Sequence, residues 1–190
     1  RLLANYLMQE VDRPSAPLSS YDMLCQEVRP ADIILVAGRN RVSRIIRKVT
    51  QSPWTHAALY IGKLYDIEDA ELRQKISQNK NITPSDPLII ESLAGKGTVI
   101  NLFSNYKKEH IRICRPRGIA HSDAISVTEF ALRHLGHSYN MRHFFDLGRF
   151  LLNSIFFPSH LGSTLFTKDP DNSASEICST MIANAYRSID

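Results

Sequence analysis

Three residues of this sequence could together perform nucleophilic chemistry: Cys178, His56 and Glu91. Ser173, followed three residues later by Glu176, fits a capping box, and Ser175 is a second cap candidate. Either choice puts Cys178 in the first turn or two of the last helix. There, unsatisfied N–H groups and the positive end of the helix dipole favour thiolate over thiol. A thiolate is the nucleophile that acyl transfer needs. Cys178, Ile182, Ala185 and Ile189 recur at helical spacing, so the thiol is expected to face the body of the domain. The competing reading is a small buried packing residue.

His56 begins the run HAALYIG, and a histidine at a strand mouth can serve a nearby helix start as general base or as imidazolium partner. The plainer alternative is a structural histidine, one of seven in the chain. Glu91 closes the run LIIE, where a carboxylate needs a partner or water. The second ring nitrogen of a histidine would supply that partner, as in nucleophile–base–orienter triads. The alternative is an ordinary strand-end Glu pointing to solvent. Trp54, beside the histidine, and Ser179, beside the cysteine, are substrate-binding candidates.

These side chains need elements to hold them, and apolar periodicity supplies the expectation. Asp32 to Ala37, His56 to Gly62, Leu88 to Ser92, Thr98 to Leu102 and His110 to Cys114 read as strands, with Gly95 and Gly97 marking a turn. Val42, Ile45, Ile46 and Val49 form a helical stripe ended at Gln51-Ser52-Pro53. A short helix is expected within 66–86, longer ones over Asp123 to Leu135 and Ser175 to Ser188, and partial helix over Phe144 to Phe157. Residues 1–12 have helical spacing and Arg13 to Ser20 read as a linker. Strands clustered centrally between helices predict an α+β domain with a mainly antiparallel sheet.

The length of 190 residues suits one domain with its own core. An apolar share of 43 % and a charged share of 22 % exclude disorder and fibrous repeats. A net charge of +4 is too mild to argue for nucleic acid. Three widely spaced cysteines make neither a disulfide framework nor a zinc site. Cys25 and Cys114 read as packing residues. His134, His137 and His143 lack the Cys or carboxylate that would complete a metal signature, so no metal and no cofactor is expected. No stretch is apolar enough to span a membrane, Phe144 to Phe157 being broken by Asp146, Arg149 and Asn153. A chain beginning at Arg1 is expected to lack its natural N-terminus, and no signal peptide is legible.

Several segments jointly resemble a known family. RPADIILVAGRNRVSRIIRKVTQSPWTHAALYIG (Arg29 to Gly62), the IIES step, LGHSYNMRHFFDLGRF (Leu135 to Phe150) and EICSTMIANAY (Glu176 to Tyr186) are similar to the permuted NlpC-type cysteine hydrolases, in particular the bacterial YiiX/YebB-like branch. The resemblance covers roughly residues 29–188 and implies a circularly permuted papain-like fold for the domain expected over 29–190; it does not account for the N-terminal helix and linker expected over 1–28. It implies Cys178 as nucleophile, His56 as base, Glu91 as third polar residue and Tyr139 as a site wall or hydrogen-bond donor.

The expected activity is cleavage of an amide or ester bond in a small peptide, peptidoglycan stem or lipid-like substrate, in the bacterial cytoplasm or envelope. Acyl transfer of the lecithin retinol acyltransferase type, a non-catalytic lipid- or peptidoglycan-binding module, and a thiol-based sensor remain alternatives. Arg41, Arg44, Arg47 and Lys48 form a basic stripe, read either as a solvated helix face or as a peripheral membrane contact. Phe144, Phe145, Phe150, Phe156 and Phe157 either complete the core or line an acyl groove.

Overall fold

The computed structural model describes residues 20–79, 81–93, 96–136 and 178–189, together with Gln9. Five strands, β1 (Ile33–Ala37), β2 (His56–Gly62), β3 (Leu88–Leu93), β4 (Gly97–Leu102) and β5 (His110–Cys114), form one sheet in the order β4-β3-β2-β1-β5. Every neighbouring pair is antiparallel. The helices are α1 (Tyr21–Glu27), α2 (Arg41–Thr50), α3 (Ala70–Ser77), α4 (His121–Arg133) and α5 (Cys178–Arg187). The domain is therefore mixed α+β, and the strands lie where the β-branched runs bounded by Pro, Gly and polar residues place them. The helices expected over 1–12 and 144–157 fall outside the described residues.

Alternation along the strands sends apolar side chains to both faces of the sheet. On one face Ala57, Leu59, Ile61, Leu88 and Ile90 pack with Val127, Ala131 and Leu132 of α4 and with Met181, Ile182 and Ala185 of α5. The stripe expected on the last helix thus faces the sheet through Ile182 and Ala185. On the other face Ile34, Val36, Ala58, Tyr60, Ile89, Phe103 and Ile111 form a second core. Side chains such as Ile34, Leu59 and Ile89 are fully buried, each worth about 1.5–3 kcal/mol relative to exposure.

Helix ends follow local chemistry. Asn40 caps α2, its Oδ1 accepting from the Ser43 N–H at 2.8 Å. Asp69 does the same for α3 through the Glu71 and Leu72 N–H groups. β2 ends at Gly62, where a bulge in the pairing with β3 and a φ of 88° let the chain turn; a Cβ there would meet Asp66 Oδ2 at 2.9 Å.

Helix α1 has no counterpart in the sequence expectation. Seven residues of mixed polarity cannot sustain a helix alone. It forms because Tyr21, Leu24 and Cys25 pack on the second core, with the Tyr21 ring 5.4 Å from that of Phe103. Cys25 is thereby a packing residue, as expected.

The entry to β1 is a polar knot. Asp32, 1 % exposed, receives Arg115 Nε on Oδ1 at 2.8 Å and Arg115 Nη2 on Oδ2 at 2.7 Å, and its Oδ2 also accepts the Arg29 N–H. Arg115 reaches the Glu27 carbonyl at the end of α1 as well. The Tyr186 hydroxyl of α5 donates to the carbonyl of Ala31, a residue held at a φ of 69°. Desolvation of that buried hydroxyl pushes Tyr186 up to about 12. Residues 31 and 32 thus tie together α1, β1, α5 and the exit of β5. Among the described residues no helix is long and apolar enough to cross a membrane.

Candidate active site

His56 is the first residue of β2 and pairs with Val36 of β1. Glu91 lies on β3, whose register with β2 sets Leu59 against Ile90 and Tyr60 against Ile89. Continued by one step, that register puts Glu91 across from Ala58, a diagonal neighbour of His56 on the same face. Diagonal pairs on a sheet are within reach of long side chains, and the small Ala58 leaves the space between them open. His56 Nε2 and Glu91 Oε2 are hydrogen-bonded.

The two groups differ in exposure: the His56 side chain is 19 % exposed and that of Glu91 only 1 %. A carboxylate so deeply placed is costly unless every lone pair is used. Asn101 Nδ2 donates to Oε1 at 2.7 Å, and the Tyr106 hydroxyl donates to Oε2 at 2.6 Å. Burial alone would raise the Glu91 pKa. The hydrogen bond and charge of His56, then the bonds from Tyr106 and Asn101, outweigh it and hold the carboxyl below its ordinary range.

A carboxyl group held down in the folded state stabilises the fold fully above its unfolded pKa and loses that contribution as pH falls through the folded value. The stability difference between the parent and Glu91→Gln is therefore expected to be flat at neutral pH and to shrink on acidification below the usual carboxylate range. Urea unfolding at stepped pH measures it; a difference that grows as pH falls would reverse the sign assigned to Glu91.

Asn101 and Tyr106 were not among the residues singled out from the sequence. Asn101 sits on β4 opposite Ile89 and thus diagonal to Glu91. Tyr106 closes the short 3-10 segment Phe103–Tyr106, its ring centroid 6.1 Å from that of His56. A polar residue at 101, between the apolar Ile100 and Leu102, was the one available signal for the first. Nothing local announces the second.

Of the other sequence candidates, Trp54 is half-buried just ahead of His56, its N–H bound to Ser52 Oγ at 3.2 Å. Ser179 is exposed near the start of α5. Cys178 is the first residue of α5 as described, and α5 packs on β2 and β3. Its side chain, Tyr139, the cap candidates Ser173, Ser175 and Glu176, and the segment Phe144 to Phe157 lie outside the described residues. The structure thus brings His56 and Glu91 together on the face of Ala58 and Ile89, whereas α5, which begins at Cys178, packs on the opposite face of the same strands through Met181, Ile182 and Ala185.

The loop before α2 adds a second polar network. Thr55 Oγ1 accepts from the Gly38 N–H at 2.9 Å and lies 3.3 Å from Ser43 Oγ. Arg47 Nη1 donates to the Gly38 carbonyl at 2.7 Å. Within the basic stripe, Arg44 and Lys48 are exposed whereas Arg41 and Arg47 are half-buried. His134 bonds the Phe130 carbonyl through Nδ1 at 2.7 Å and stacks on the Phe130 ring, while His137 and His143 lie outside the described residues. Among the described residues no three His, Cys, Asp or Glu side chains converge as a metal would require. In comparisons with known proteins, no family model and no curated protein matches this chain.

Proposed function

We propose that this protein is a cysteine hydrolase, built on a circularly permuted papain-like fold, that cleaves an amide or ester bond. The observation that carries the reading is the His56–Glu91 pair: a partly exposed imidazole held by a buried carboxylate that Asn101 and Tyr106 also hydrogen-bond. That is the arrangement of a general base with its orienting acid. The nucleophile in this reading is the thiol of Cys178, the first residue of α5. That helix packs on β2 and β3 from the Leu59 and Ile90 face, opposite to the face of His56 and Glu91.

In this reading His56 takes the Cys178 proton and Sγ attacks the substrate carbonyl carbon. The proton passes to the leaving amine or alcohol as its bond to the acyl carbon breaks, leaving a thioester. Water, deprotonated by His56, then attacks the thioester; the acid is released and the thiol restored. Backbone N–H groups at the start of α5 would hold the developing oxyanion. Small peptides and lipid-like acyl compounds are the proposed substrates. Arg44 and Lys48, exposed on α2, would favour anionic ones or an anionic membrane surface.

A thiol-directed acylating probe tests the assignment in a chain whose Cys25 and Cys114 have been replaced by Ser. Labelling is expected to disappear on the further change Cys178→Ser. If that triple variant still labels as the double variant does, Cys178 is not the nucleophile.

A further inference from the structure

Two groups donate to the Glu91 carboxylate, Asn101 Nδ2 to Oε1 and the Tyr106 hydroxyl to Oε2, and His56 Nε2 is hydrogen-bonded to Oε2 as well. They come from three separate elements, namely β2, β4 and the 3-10 segment after β4. An ionised carboxylate has only lone pairs to offer, so each of these contacts must bring its own proton. Tyr106 does two things, since its hydroxyl shares Oε2 with the imidazole while its ring lies tilted beside the imidazole ring.

We infer that Asn101 and Tyr106 are positioning residues that pin Glu91 as a carboxylate, thereby placing the proton of the neutral His56 ring on Nε2 and making Nδ1 the nitrogen that accepts the nucleophile's proton. The inference deepens the proposed function and rests on His56 acting as the general base. Asn101 fixes the carboxylate plane through the oxygen that His56 does not use. Tyr106 fixes the shared oxygen and limits swing of the ring. The titratable groups acting on Glu91 are His56 from β2 and Tyr106 from the 3-10 segment, with the neutral Asn101 from β4. Removing either donor leaves burial less opposed, so Glu91 takes up a proton at higher pH and the ring loses its anionic anchor.

The test is ring-nitrogen NMR of the full chain, which reads the protonated nitrogen of His56 directly as pH is lowered. The parent is expected to show a neutral ring protonated at Nε2. Tyr106→Phe and Asn101→Leu are each expected to move the acidic transition sensed by that ring upward by about one pH unit, the equivalent of one charge-assisted hydrogen bond. Both should also show a mixture of the two neutral ring forms. A parent ring protonated at Nδ1 overturns the proposal, as does an acidic transition left in place by both substitutions. Should Tyr106→Phe fail to fold, Asn101→Leu carries the same test at the other oxygen. The same ring signals recorded in Cys178→Ala report the cradle alone, so a failed nucleophile assignment and a failed cradle give different results.

Discussion

His56→Ala is expected to slow acylation of Cys178 by a thiol-directed probe about 100- to 10,000-fold, the range that a positioned general base contributes. The measurement uses the chain with Cys25 and Cys114 replaced, so that labelling reports one thiol. The effect should be larger than that of Glu91→Gln, because glutamine still accepts a hydrogen bond from the ring and loses only the charge that stabilises the imidazolium. The pH profile separates the two. Without the imidazole, the rate should rise with pH as an unassisted thiol ionises, reaching its plateau only in the alkaline range. A His56→Ala rate and pH profile indistinguishable from the parent would remove His56 from the chemistry and leave the pair with Glu91 a structural one. Folding should survive the change, since the His56 side chain is partly exposed and Glu91 keeps Asn101 and Tyr106.

Asp32→Ala should be the most damaging single change to stability among the polar residues described here. It removes a buried acceptor that holds Arg115 by two bonds and the Arg29 N–H by a third. Breaking a buried ion pair from one side costs about 3–5 kcal/mol, because the other charge is left without compensation. The Arg115 side chain is 37 % exposed and can recover some hydration, so about 2–4 kcal/mol is expected here. For a domain of this size that is a fall in Tm of about 10 °C. Thermal unfolding checks it, with Asp32→Asn expected to fall between the two because it keeps the shape and loses the charge. A parent-like midpoint for Asp32→Ala would show that Arg29 and Arg115 find other partners. The rate of Cys178 labelling in the folded fraction should change little, since Asp32 does not touch His56 or Glu91.

The two predictions divide the molecule according to what a sequence can disclose. Strands β2 and β5 have the bounds expected from HAALYIG and HIRIC, since β-branched runs punctuated by turn residues carry their own signal. The amphipathic face of α5 was equally legible, its Ile182 and Ala185 facing the sheet as their spacing requires. His56 and Glu91 stood out as a basic ring and a carboxylate at opposite ends of apolar runs, positions at which a polar group must find a reason to be there.

What the tertiary structure decided is the set of relationships between residues far apart in the chain. Helix α1 exists through contact with Phe103, and no local pattern of seven residues could have announced it. Arg115 and Asp32 lie 83 positions apart and meet only because β1 and β5 are neighbours. The cradle of Glu91 depends on two strand registers at once, one bringing His56 within a diagonal step and the other Asn101. A side-chain period of two tells which face a residue takes, but not which residue lies across from it. Residue type and spacing thus named the candidate groups, while register chose the partners that hold His56 and Glu91.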